Sequence, residues 1–179
     1  MNEFQVFFRG SKADRISGQS EVAAIREIAA LLRKRSLFSP FERSITVRMV
    51  DCGSSNDVEI EEGLMNSPQV DCERFGIHFA ASPRHADVLL ATGPVTINMK
   101  LALEKTYAAM PSPKAVVAAG DGACTGGPLS GASGVYKSGR VDEVVPVDVR
   151  IPGNPPSPYE LALGILEAGQ IISKKKAER

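Results

Sequence analysis

Three absences in the sequence narrow the classes of protein that it can encode. Neither sign of charge is in excess, because 21 lysine and arginine residues balance 21 aspartate and glutamate residues. A neutral total gives no support for nucleic acid as a partner. No stretch approaches the roughly 18 consecutive apolar residues that span a bilayer. Residues 1–10 lack a basic region followed by an apolar one, so no secretory signal is expected and the cytoplasm is the predicted compartment.

The sequence is also poor in cysteine. Cys52, Cys72 and Cys124 make an odd number, which argues against a disulfide framework in a chain without a signal. No CxxC motif is present, so an ordinary zinc site is not supported. Cys72 lies before the predicted strand at Gly76–Ala80 and is expected to be a small buried apolar residue.

An alternation of apolar strands and helices fills the chain from residue 45 onward. It predicts an α/β fold of three layers around a parallel, flavodoxin-like sheet. The predicted strands are Ile45–Val50, Gly76–Ala80, Val88–Ala91, Ala115–Ala119 and Val144–Val147. The predicted helices are Glu59–Met65, Thr96–Met110 and Pro158–Ile172.

The chain divides into three predicted regions: an N-terminal helical extension over 1–41, the α/β domain over 42–173 and a tail over 174–179. In the extension, apolar residues at helical spacing predict a helix over 20–35. Three basic residues end this helix, and two phenylalanines and a leucine follow it. That combination suits docking on a partner or an anionic membrane surface. The alternative is a helix packed on the domain's own sheet.

Polar loops follow three of the predicted strands, at 51–57, 120–140 and 148–157. The carboxyl ends of parallel strands share one edge of a sheet, so these loops are expected to converge on any site. The segment GDGACTGG at 120–127 does not match a dinucleotide fingerprint, because Thr125 stands where the last glycine belongs. A P-loop is also excluded, since Tyr136 precedes Lys137 and Ser138.

Several segments, in order, resemble a known family. DCGSSNDVEIE at 51–61 is similar to the Asp-Thr-Gly-Ser-Cys-Asn-Gly-Cys-Glu-Ile-Glu motif of membrane-bound [NiFe]-hydrogenase small subunits. SPRHADVLLATGPVT at 82–96, MPSPK at 110–114 and IPGNPP at 151–156 continue the likeness. The chain is identified as a member of the small-subunit family shared by energy-converting hydrogenases and the 20 kDa subunit of complex I, closer to the hydrogenase branch.

The resemblance implies a proximal [4Fe–4S] cluster, ordinarily held by four cysteine thiolates. The former cluster-ligand positions carry Ser55, Val58, Cys124 and Asn154. Valine has no donor atom, and asparagine is a poor ligand for a soft iron–sulfur centre. We therefore expect no cofactor and no metal. The alternative is a [4Fe–4S] cluster with altered ligation, in which Cys52 joins Cys124 as a ligand.

Two other residues are candidates for proton handling. Glu59 matches a glutamate that lies beside the cluster in the hydrogenase family, where it is suspected of proton transfer. His85 lies in the SPRHAD turn. For Glu59 the alternative is a structural role, because acidic residues also favour helix N-termini. For His85 the alternative is also structural, because a lone histidine is more often structural than catalytic.

The resemblance implies a subunit of an oxidoreductase-type complex that is not catalytic alone. Its expected partners are a large-subunit homologue and membrane-arm subunits, and its expected location is the cytoplasmic face of the inner membrane. Two alternatives remain. One is a working electron-transfer subunit with a cluster of altered ligation. The other is a stand-alone α/β protein that binds a small ligand.

Overall fold

The structure, a computed structural model, describes residues 23, 26–30, 44–127, 130 and 138–177. A sheet of five parallel strands confirms the predicted three-layer α/β fold. The strands of this sheet are β1 (Ile45–Asp51), β2 (Ile77–Phe79), β3 (Val88–Thr92), β5 (Ala115–Ala119) and β7 (Val149–Ile151). A small antiparallel pair joins β4 (Val95–Thr96) to β6 (Ser138–Gly139). The five parallel strands lie side by side in the order β2-β1-β3-β5-β7, so successive strands are added on one side of β1 and then on the other.

Helices cover both faces of the sheet. The sheet therefore separates the hydrophobic core into two layers. The first core layer lies between the sheet and two helices, α1 (Asp57–Met65) and α4 (Pro158–Ala177). The second core layer lies beneath α2 (Ile97–Ala109) and the short α3 (Gly120–Thr125). Successive residues of a strand face opposite sides, so Leu90 belongs to the first layer and Leu89 to the second. Strands β3 and β5 are buried throughout, which explains their continuous apolar sequence.

The predicted strand at Val144–Val147 is wrong, because the last strand of the sheet begins at Val149. Pro146 has no amide hydrogen to donate to a neighbouring strand. The Asp148 carboxylate accepts the Val116 amide at 3.0 Å, and the Asp148 amide donates to the Val116 carbonyl at 2.9 Å. Side-chain and backbone bonds of Asp148 thus set the start of β7.

Two helix boundaries also differ from the prediction. The glycine-rich segment after β5, read as a structureless loop, begins with helix α3 from Gly120 to Thr125. The last helix continues through Ala177, so the lysines predicted to begin the tail form its final turn. Lys175 is held there by the Asp148 carboxylate at 2.8 Å and the Lys114 carbonyl at 3.0 Å.

Only part of the predicted N-terminal helix lies among the described residues. Residues 26–30 are helical, and the Ile28 side chain is buried in the first core layer. This part of the helix therefore packs on the domain. The basic and aromatic residues at 33–41 lie outside the described residues, and their docking stays a prediction. Within the described ranges, every helix is too short or too polar to cross a bilayer.

Candidate functional site

Three loops meet at the carboxyl edge of the sheet, as the sequence predicted. The Asp121 amide donates to the Gly153 carbonyl at 2.8 Å, and the Gly153 amide donates to Asp121 Oδ1 at 2.9 Å. Gly120 lies against Val58, so a Cβ added at Gly120 would be only 2.7 Å from Val58 Cγ2. The loops that begin at residues 52, 120 and 152 thus join around Gly120.

The loop after β1 is braced by its own side chains. Asp51 Oδ1 accepts the amides of Gly53 and Ser54, each at 2.8 Å. Ser54 Oγ accepts the amide of Asn56 at 3.1 Å, and Asn56 adopts a left-handed backbone conformation. Asparagine tolerates this conformation better than most residues. The loop therefore has a defined path into α1.

The same loop is closed against the loop after β3. The Cys52 amide donates to the Thr92 carbonyl at 3.0 Å, and the Thr96 amide donates to the Cys52 carbonyl at 2.9 Å. Gly93 touches Ser54 so closely that a Cβ on Gly93 would lie 2.4 Å from Ser54 Cα. Between β1 and β3, where ligands commonly bind in such sheets, the two loops are therefore in direct contact with each other.

The former cluster-ligand positions differ in environment. Val58 is buried in the first core layer, whereas Cys124 is buried in the second. Ser55 and Asn154 are exposed, and in the described part of the chain neither side chain forms a hydrogen bond. In a protein without the cluster, Ser55 and Asn154 were expected to hydrogen-bond to the glycine-rich backbone after β5. That expectation is wrong for the described residues, because both side chains face solvent. The assignment of these four residues as former ligand positions rests on the resemblance and stays a prediction.

The three cysteines are buried, unpaired thiols. Cys52 donates to the Val50 carbonyl at 3.6 Å, and Cys124 donates to the Ala118 carbonyl at 3.5 Å. Cys72 is fully buried, as predicted, and its thiol reaches Asn66 Oδ1 at 3.5 Å. Burial, and to a smaller extent the negative charge of Asp51, raises the pKa of the Cys52 thiol to about 12. Burial likewise raises the pKa of Cys72 to about 11 and that of Cys124 to about 12.

These raised pKa values predict a loss of stability at alkaline pH. Above pH 9 the unfolded chain releases its thiol protons while the folded chain keeps them, so the free energy of unfolding falls as pH rises. Each thiol contributes a slope of about 1.4 kcal/mol per pH unit until the pH reaches its folded pKa. Urea unfolding between pH 8 and 10.5 measures this slope.

Cys72→Ala should make the free energy of unfolding fall less steeply with pH, because one of the three thiols is removed. This holds whatever the substitution does to stability at pH 7. Comparing slopes rather than absolute stabilities separates thiol ionisation from any cavity left by the smaller side chain. A Cys72→Ala slope equal to that of the unchanged chain would contradict the prediction.

Glu59 lies at the junction of these loops. Its Oε1 accepts a hydrogen bond from the Thr92 hydroxyl, and its Oε2 is buried without a hydrogen-bond partner among the described residues. Thr92 is fully buried, and its hydroxyl also lies 3.4 Å from the Val50 carbonyl. Burial, with a further contribution from the Glu59 charge, raises the pKa of Glu62. Sequence reasoning missed Thr92, whose only signal was a hydroxyl at the end of a buried apolar strand.

The structure separates the two candidates for proton handling. His85 is exposed in a short 3₁₀ helix that precedes β3, whereas Glu59 lies beyond the carboxyl end of β1. These positions are at opposite edges of the sheet, because β1 and β3 run parallel. His85 therefore takes no part in the junction around Glu59.

A cavity of about 700 Å³ opens beside this junction, and sequence reasoning did not predict it. It lies between α2 and the ends of β1 and β2, lined by Met49, Phe79 and Met99. Arg48, Asp51 and Glu62 add charge to the lining. Nowhere in the described residues do three or more histidine, cysteine or acidic side chains gather as a metal site would require.

Comparisons with known proteins point to one family. The sequence resembles formate hydrogenlyase subunit 7 of Escherichia coli, with 43% identity over 140 residues that cover 75% of this chain and 54% of that protein. The chain thus spans about half the length of that relative. The probable membrane-bound hydrogenase subunit mbhJ of Pyrococcus furiosus is 41% identical over 133 residues, covering 74% of this chain and 78% of that subunit.

A solved structure supports the same relationship. A chain of the membrane-bound sulfane sulfur reductase, an archaeal respiratory membrane complex, superposes with a TM-score of 0.63 and 31% identity. The match covers 76% of this chain and 74% of that one. The family described as the 20 kDa subunit of NADH ubiquinone oxidoreductase matches residues 52–168. This chain therefore belongs to the NADH ubiquinone oxidoreductase 20 kDa subunit family.

Proposed function

We propose that this chain is a subunit of a membrane-associated complex related to energy-converting [NiFe]-hydrogenase and complex I. In this role it links a large-subunit homologue to the membrane arm and is not catalytic alone. The observation that carries the proposal is the family match over 52–168. The names of the relatives, a membrane-bound hydrogenase subunit and a formate hydrogenlyase subunit, support the same kind of assembly. The chain would sit peripherally on the cytoplasmic face of the inner membrane.

The second part of the proposal is that this subunit works without the family's [4Fe–4S] cluster. At the former ligand positions a hydroxyl, an alkyl group, a thiol and an amide stand where four thiolates are ordinarily required. The methyl groups of Val58 pack against Gly120 and have no lone pair to offer. This donor set does not fit a cubane cluster, so no electron-transfer step is assigned to this chain.

The remaining thiols also favour this proposal over a cluster of altered ligation. Cys52 and Cys124 are the two thiols that such a cluster would need, and both are buried. Both thiols belong to the second core layer and donate to backbone carbonyls, whereas Val58 lies in the first layer. Cys52 would have to leave the second layer to take the place of Val58, which requires a rearrangement of the loop after β1.

Purification from membranes of the native host tests the assembly. The full-length chain with a C-terminal affinity tag should elute with a large-subunit homologue and membrane-arm subunits in near-equal amounts. It should enter a native gel as one large complex. A tagged chain that is recovered alone, as a soluble monomer, would contradict the proposed function and favour a stand-alone ligand-binding protein.

A charge-reversal variant of the N-terminal extension tests the attachment. Replacing Arg33, Lys34 and Arg35 with glutamate leaves Ile28, and hence the described core contact, in place. If this segment binds membrane-arm subunits or anionic lipid, the variant should shift from the membrane to the soluble fraction. Membrane retention equal to that of the unchanged chain would show that attachment lies elsewhere.

A further inference from the structure

Helix α1 exposes an apolar stripe that nothing in the described part of the chain covers. Ile60 and Leu64 are one helical turn apart and are 57% and 46% exposed. Residues at this spacing lie on one face of a helix. The stripe begins one turn after the exposed loop residues Ser55 and Asn56, so it continues the surface of the carboxyl edge.

Acidic side chains flank this stripe, and no basic side chain in the described ranges pairs with them. Helix α1 carries Asp57, Glu59, Glu61 and Glu62 and has no basic residue in its last turn. Among the described residues, none of the four forms an ion pair within 4.0 Å. Asp57 and Glu61 are also one turn apart and repel each other at that spacing. The helix N-terminus favours the acids of the first turn, but the repulsion between Asp57 and Glu61 remains, and a cation beside this pair would relieve it.

A second exposed stripe provides an internal comparison. Ile97 and Leu101 on α2 are 54% and 57% exposed, much like the α1 pair. Helix α2, however, mixes Lys100 and Lys105 with Glu104, so its surface carries both signs of charge. The two stripes match in apolar exposure and differ in charge.

We propose that the α1 stripe, together with Asp57 and Glu61, docks a partner polypeptide that presents lysine or arginine around an apolar contact. Electrostatic complementarity of this kind fixes the partner and its orientation. A lipid surface does not fit, because anionic headgroups repel an acidic helix. A second copy of this chain does not fit either, because a two-fold contact would bring α1 against α1 and its acids against acids. The proposal deepens the proposed function, since it rests on the chain having a protein partner in the complex.

Crosslinking in the native complex tests where the partner lies. A benzoylphenylalanine residue replaces Ile60 or Leu64 in the full-length tagged chain, and Ile97 or Leu101 in the matched controls. After irradiation, the α1 positions should crosslink to a lysine- or arginine-containing peptide of a subunit that co-purifies in equal amount. Crosslinks from α1 only to this chain's own residues, or only from the α2 positions, would overturn the proposal.

Paired substitutions measure the contribution of the stripe and of its charge. The double variant Ile60→Ala with Leu64→Ala should reduce the amount of co-purifying partner at least about tenfold. The double variant Asp57→Asn with Glu61→Gln should reduce it about fivefold and make partner binding less sensitive to salt. Ile97→Ala with Leu101→Ala should change it less than about twofold. Circular dichroism checks that each variant is folded, and Gly63→Ala provides a conservative change on the same helix.

The outcomes separate this surface from the proposed function. A complex that forms normally with the α1 variants overturns the surface and leaves the proposed function intact. If the chain without substitutions co-purifies with no other subunit, both the docking surface and the proposed function are overturned.

Discussion

The full-length chain, purified under anaerobic conditions, should contain fewer than about one iron atom per molecule and no acid-labile sulfide, against about four irons for a cubane cluster. The reason is the donor set, in which Val58 has no ligating atom and Ser55 and Asn154 offer only oxygen or amide groups. Iron and sulfide analysis measures this directly, and visible absorption near 400 nm is an independent readout.

Cysteine variants make the iron measurement decisive. Cys52→Ala and Cys124→Ala should leave the iron content at its baseline, because neither thiol is expected to bind metal. About four irons per chain in the unchanged protein, lost in either variant, would contradict the prediction. That result would favour the working electron-transfer subunit with altered ligation.

Gly93→Ala should destabilise the chain by about 3 kcal/mol or more. Gly93 has a φ of +66°, a conformation that L side chains rarely adopt, and an added Cβ would lie 2.5 Å or less from the backbone N and Cα atoms of Ser54. Because these atoms belong to a braced loop, the clash cannot be relieved by rotating a side chain. Chemical denaturation of the purified variant measures the loss.

Gly63→Ala is the matched control for this substitution. Gly63 lies in α1, and an added Cβ would have no heavy atom within 4 Å. Alanine is favoured over glycine inside a helix by about 1 kcal/mol, so this variant should be slightly more stable than the unchanged chain. A Gly93→Ala protein as stable as Gly63→Ala would show that the contact between the two loops is loose.

Part of the site could be predicted because it depends on chain order alone. Polar loops that follow parallel strands must emerge at one edge of the sheet, whatever the details of packing. The loops after β1, β5 and β7 therefore met as expected, through Gly120, Asp121 and Gly153. The buried runs of β3 and β5 were equally clear, since a strand covered on both faces reads as continuous apolar sequence.

The misplaced elements were those whose local sequence opposes the structure that forms. Glycines at 120 and 122 disfavour a helix, yet α3 forms there because it packs against β3, β5 and β7. Val144–Val147 has strand propensity, but Pro146 cannot donate to a neighbouring strand and Asp148 binds the Val116 backbone. In both cases tertiary contacts outweighed local preference.

By itself, the sequence determined the fold class and the family, because these depend on periodicity and on the order of motifs. The residues that stand where the family has cysteines follow from the resemblance and stay a prediction. Only the tertiary structure decided which side of the sheet each residue faces and which partner it has. It put Val58 and Cys124 in different core layers and hydrogen-bonded Thr92 to Glu59. Among the described residues it left Ile60 and Leu64 exposed, beside acids that form no ion pair there. These features arise between elements distant in the chain, and local spacing contains no record of them.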